Sequence, residues 1–174
     1  MDLLDFEAGP DSGTLYFDEK LRPETRALLD RAAKDYGLPQ AETSLLRANF
    51  LEPEHPTVLV ALFRYFYYQH RFEEAFLVTE RVLRVFAGRL GLPSDWRELT
   101  ETHASAIHGD YETTVSLTDL RFYLLALKGA GYLKLRLGEN ESGIAYLKKV
   151  AEMDPKDRMG AWALLDVVLP NTAQ

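Results

Sequence analysis

Apolar positions along the chain recur at helical spacing in paired runs, each pair split by a short polar or glycine-containing break. In residues 56–89, Pro56 suits a first helical turn and an apolar run follows over Val58–Tyr68. A polar break comes at Gln69–Arg71, and a second periodic run leads from Phe72 to Phe86, to be stopped by Gly88 or Gly91. A shorter pair precedes it: Pro23 to Tyr36, the break Gly37-Leu38-Pro39, then Gln40 to Leu51. A third pair follows, capped by Ser116 or Thr118, reaching Leu137, stopped by Gly138 and resumed from about Glu141 to Met153 before Asp154-Pro155. A last helix is expected from about Asp157 to Leu169, and no segment reads as a strand.

The pairs are in register at a period of 34 residues. Steps of 34 and then 68 carry Ala41 onto Ala75 and Gly143, Leu28 onto Leu62 and Ala130, and Pro53 onto Ala87 and Pro155. The skipped stretch, residues 90–123, lacks the pattern and reads as an insertion, with a short helix expected at Ser94–Leu99 and an irregular stretch near Gly109–Leu117. A helix pair of this length cannot bury its apolar face alone, so neighbouring pairs must stack. Gly131 and Gly143 are the places where two helix backbones can approach closely.

These residues bring the chain to a known family. Over residues 22–55, 56–89 and 124–157 it resembles the tetratricopeptide repeat, a 34-residue helix–turn–helix with small residues where its helices cross and a proline near its end. The third copy is the best match, with Gly131, Gly138, Gly143, Leu147 and Asp154-Pro155 in phase. A generic array of α-hairpins with the same period is the alternative. The resemblance implies an all-α fold: a short right-handed solenoid of three hairpins, an insertion at about 90–123 and a capping helix at about 157–169. The whole forms one domain over residues 22–174 behind an acidic segment, residues 1–21.

Composition narrows the function classes. With 47% hydrophobic and 27% charged residues, the chain has the makeup of a globular domain. Its formal net charge is −7, with five of the excess negative charges in residues 1–20. That speaks against nucleic acid or an anionic membrane as partner, since both require clustered Lys and Arg. Zero cysteines exclude disulfides, thiolate catalysis and sulfur-ligated metals, and fit a cytoplasmic protein. The first residues carry acids where a secretory signal carries bases, and the longest stretch free of Asp, Glu, Lys and Arg is nine residues, His55–Phe63. Neither cleaved export nor membrane spanning is expected.

Enzyme chemistry finds little footing. Gly129-Ala130-Gly131 lacks the third glycine of a dinucleotide loop and follows a helical stretch instead of a strand. His103 and His108 lie roughly 140° apart on a helix, although with Asp110 and Glu112 they could form a loop metal site. Glu73 and Glu74 stand in the first turn of a helix, where carboxylates complement its dipole. No cofactor or metal is expected. A small enzyme or metal site in the insertion, using Trp96, His103, His108, Asp110 and Tyr111, is the competing class, and a structural oligomerisation subunit is a third.

The resemblance implies a non-enzymatic adaptor or chaperone-like module that binds a peptide or protein segment in a concave groove lined by the first helix of each pair. The corresponding positions are Arg26, Asp30 and Ala33; Val60, Arg64, Tyr67 and Tyr68; and Leu125, Lys128, Tyr132, Leu135 and Arg136. Tyrosines give contact area at low entropic cost, and the cations can hold a carboxylate. The family's clamp for a C-terminal carboxylate is not expected, because the matching positions are Arg26, Asp30, Ala61, Leu125 and Gly129. The acidic start, with Leu3, Leu4 and Phe6, is a candidate occupant of the same groove. The final helix is apolar nearly all round, so Trp162, Leu165, Val168 and Leu169 are expected to be covered by Leu15–Phe17, by the insertion, or by a second copy in a homodimer.

Overall fold

Three of the first four helices open on a proline, whose missing N–H would have had no partner in a first turn. They are α1 (Pro23–Lys34), α2 (Pro39–Leu51) and α3 (Pro56–Tyr68), followed by α4 (Phe72–Leu90), α5 (Glu101–Ser105), α6 (Leu117–Arg136), α7 (Asn140–Met153) and α8 (Ala161–Val168). The structure, a computed structural model, describes residues 19–105 and 117–169. Among these the chain is all-helical, with a single 3-10 turn at Trp96–Glu98 and no strand. The expected irregular stretch near 109–117, apart from Leu117, which opens α6, lies outside the described residues, as do the cap Ser116, nearly all of the acidic segment, His108, Asp110, Tyr111 and Glu112.

The chain divides into two compact units, residues 1–78 and 79–174, with the boundary inside α4. In unit 1, α1 buries Thr25, Leu28 and Ala32, while α2 buries Ala41, Ser44, Leu45 and Ala48. Helix α2 packs on both α1 and α3, and Leu28, Ala48 and Val58 form a shared core flanked by Leu21, Leu29 and Leu51. The imidazole of His55 caps α3: its Nδ1 accepts from the N–H of Thr57 at 3.2 Å, leaving Nε2 to donate to the carbonyl of Glu19. The break expected at Gln69–Arg71 is present. The N–H of Arg71 closes on the carbonyl of Phe66 with His70 at φ 57°, a left-handed position usually given to glycine.

In unit 2, α6 packs on α7 and α7 on α8. A Cβ built on Gly143 would lie 2.7 Å from Cγ of Leu135 and 2.8 Å from the carbonyl of Gly131, so the close crossing expected at these glycines is present. Gly88 lies within α4, and Gly91 (φ 64°) is the residue that stops it. The helix expected at Ser94–Leu99 is only the 3-10 turn, capped by Asp95 instead of Ser94. Nothing in the pattern announced α5; it is capped at Thr100, whose N–H donates to Nδ1 of His103.

The final helix is shorter than its apolar pattern suggests. Asp157 and Gly160 both take left-handed backbone conformations, which end any helix before Ala161. Carboxylates then order the turn: Asp154 accepts from the N–H of Met159 at 2.6 Å, and Asp157 from the N–H of Trp162 at 3.1 Å. Leu165 is fully buried on α8. Its place in a dimer interface is therefore corrected: the side chain already belongs to the core of unit 2. Trp162 is 49% exposed, and Val168 and Leu169 are half-buried.

Candidate binding surface

Unit 1 holds a cleft whose walls come from matching positions on α1 and α3. Helix α1 presents Leu29, Ala32 and Ala33, and the turn after it Tyr36; α3 presents Ala61, Arg64, Tyr65 and Tyr68, at the same spacing of three, four and seven residues. Leu45 of α2 completes the lining. The opening follows from the alanines, for where larger side chains would interdigitate, Ala32, Ala33 and Ala61 leave a volume of about 610 Å³. Tyr36 is 55% exposed and meets Tyr65 edge to face at 6.4 Å, while Tyr68 is 47% exposed. Arg64 is the one charged side chain among the lining residues.

A network built on Arg71 stiffens the surroundings. Its guanidinium donates to Glu42 of α2 and to Glu74 of α4, each at 2.8 Å, and lies over the ring of Phe66 at 4.6 Å. Those hydrogen bonds raise the affinity of Arg71 for its proton and hold Glu74 below the usual carboxylate range. Burial pushes the hydroxyl of Tyr65 up, Glu42 adds to this, and Arg71 opposes it. Glu74 thus helps to hold the guanidinium that links this turn to Glu42 of α2.

The expected groove residues separate on inspection. Arg64, Tyr68 and Ala33 come together in the cleft. Arg26 and Asp30 are exposed on α1 but do not line it, and Tyr67 packs into an aromatic cluster with Phe63, Tyr68 and Phe72. In unit 2, Lys128 is buried, with its ammonium donating to the carbonyl of Met159 at 2.6 Å and its proton affinity lowered by desolvation. It is a structural tie between α6 and the turn before α8. Arg136 donates to the hydroxyl of Tyr132 at 2.9 Å, pairing those two side chains with one another. Tyr36 and Tyr65 were missing from the expected set, although the alternation of small and aromatic residues along α1 and α3 carries the signal.

Of the residues named for an enzymatic insertion, Trp96 and His103 are among those described. Trp96 stacks on Tyr146 with ring centroids 4.2 Å apart, and the guanidinium of Arg97 lies over the Trp96 ring at 4.6 Å. Lys149 donates to the carbonyl of Leu99 and so fixes the same segment to α7. His103 caps α5. Among the described residues no cluster of three His, Asp or Glu could hold a metal ion, and no helix is long and apolar enough to cross a membrane.

No protein-family model and no solved structure matches the chain. It is 47% identical over 174 residues to a protein of Azotobacter chroococcum mcd 1 described as an uncharacterized 19.8 kDa protein in the nifW 5′ region. The match spans 100% of this chain and 92% of the relative.

Proposed function

The chain belongs to the family of this Azotobacter chroococcum protein of the nifW 5′ region, and we propose that it is a non-enzymatic binding module of the tetratricopeptide type. In this reading its helix pairs form a short right-handed solenoid, and the cleft between α1 and α3 holds an extended segment of a protein partner. The cleft carries the reading: two half-exposed tyrosines and one arginine surround a volume kept open by alanines. Tyrosine supplies contact area with few torsions to freeze, and a guanidinium in apolar surroundings favours a carboxylate. The 34-residue register and the glycine crossing of α6 and α7 support the repeat type.

The test is a photo-reactive amino acid placed at Tyr68, and separately at Trp162, which is 49% exposed on α8 and outside the cleft. Irradiation in the native cell should give one discrete adduct from position 68 and none from 162; equal adducts, or none from 68, would contradict the reading. The position of the relative's gene makes the nifW product the first purified candidate to try. With any partner so identified, Arg64→Ala and Tyr68→Ala should each weaken binding by about 1–3 kcal/mol while leaving the melting temperature unchanged.

A further inference from the structure

Helix α2 turns its small side chains inward and its largest ones outward. Ala41, Ser44 and Ala48 are buried with Leu45, whereas Leu46 is 46% exposed and Phe50 is 85% exposed. Thr43, Leu46, Arg47 and Phe50 follow the spacing of three, four and seven residues that aligns side chains along one helix face, where a surface helix ordinarily shows polar groups to water. An apolar stripe rimmed by polar side chains marks an interaction surface. We propose that a second copy of this chain covers it, α2 packing on α2 about a two-fold axis. The inference stands independently of the cleft, whose lining takes only Leu45 from α2.

A two-fold interface joins one patch to itself, so the patch must carry both halves of every contact. This one does. Phe50 projects beside a groove of about 500 Å³ lined by Glu24, Thr43, Leu46, Arg47, Phe50 and Leu51, so that knob and recess share one face. Glu24 and Arg47 bring opposite charges to that groove; both are exposed, and among the described residues neither side chain has an ion-pair partner. One acid and one base make the patch neutral, which lets two copies of formal charge −7 meet there without like charges opposed.

Antiparallel pairing of α2 with its copy, centred between Leu46 and Arg47, sets Phe50 opposite Thr43 of the second copy. Leu46 then faces the aliphatic stem of the second copy's Arg47, and the guanidinium beyond that stem comes within reach of Glu24. Helix α2 has 13 residues and is about 20 Å long, whereas a standard interface takes about 800 Å² from each partner. A face this small gives a dimer of micromolar affinity.

The experiment is sedimentation equilibrium of the full chain from about 1 µM to about 300 µM, the range of a weak dimer. The wild type should pass from monomer to dimer across it. Phe50→Asp should weaken the dimer about tenfold or more, with helical circular dichroism and melting temperature unchanged, because the ring is exposed in the single chain. Charge reversal identifies the occupant. Arg47→Glu and Glu24→Arg should each weaken self-association about tenfold, while an equal mixture of the two variants should form a heterodimer within about threefold of wild-type affinity. A chain that stays monomeric throughout, a dimer indifferent to Phe50→Asp, or a mixture that associates no better than its separate parts overturns the proposal.

Discussion

The α1–α2 and α6–α7 pairs follow one helix–turn–helix plan and spend their side chains differently. In α6–α7 the backbones meet at Gly131 and Gly143, Lys128 is turned inward onto Met159, and Tyr146 is stacked under Trp96. In unit 1 alanines stand where side chains from α1 and α3 could have filled the space, and Tyr36 and Tyr68 remain half-exposed beside Arg64. One pair is closed upon itself, while the other helps to wall an unfilled cleft. Dense packing marks a structural element, and the aromatic cleft is the surface we propose for a ligand.

The largest expected effect probes the closed pair. Gly143→Ala sets a methyl 2.7 Å from Leu135 and 2.8 Å from the carbonyl of Gly131, with backbone on one side that cannot yield. It should cost about 3 kcal/mol in chemical denaturation. Gly131→Ala, whose nearest contacts are 3.0 Å, should cost less. Gly129→Ala meets nothing within 4 Å and should instead stabilise by about 0.5–1 kcal/mol, as replacing a helical glycine does. Equal effects at the three positions would break the contrast between the pairs.

Alkaline titration tests the same closed unit. Burial pushes the hydroxyl of Tyr123 up to about 12 from its usual value near 10. Between those two values the unfolded chain loses the proton while the folded chain keeps it. Stability is therefore intact below pH 10 and declines as pH rises toward 12, by about 2 kcal/mol for this group. Tyr146 and Tyr65, also raised, act in the same direction, and Lys128, lowered, acts against them. Tyr123→Phe should flatten the decline measured by urea unfolding across that range.

Smaller effects belong to unit 1. His55→Ala removes the acceptor for the Thr57 N–H and should cost about 1 kcal/mol, most of which His55→Asn should restore in the same denaturation assay. His70→Gly relieves a left-handed conformation and should raise stability by about 0.5–1 kcal/mol, read as a higher melting temperature.

Much of this architecture was legible from residue spacing. The 34-residue register located the helix pairs, and the small residues at 131 and 143 announced their crossing, because both signals are local and repeated. The cleft was legible only in part. Arg64 and Tyr68 followed from helical phase, but an absent volume has no sequence mark, and alanines read equally well as close packing. Lys128 has the same phase and still turns inward, since the turn before α8 offers it a carbonyl that no periodicity reveals. Leu165 looked surplus because α8 is apolar all round; which of its sides meets α7 depends on the start imposed by Asp157 and Gly160.

The central claim is that the α1–α3 cleft, and not the α6 face, carries binding. It is tested most directly by the equilibrium affinity of the cross-linked partner for Ala33→Leu, which fills the cleft, and for Arg136→Ala on α6. The account predicts at least tenfold weaker binding for Ala33→Leu, about 1.4 kcal/mol or more, with an unchanged melting temperature, and an affinity within about twofold of wild type for Arg136→Ala. Full affinity in Ala33→Leu together with a loss in Arg136→Ala would contradict it.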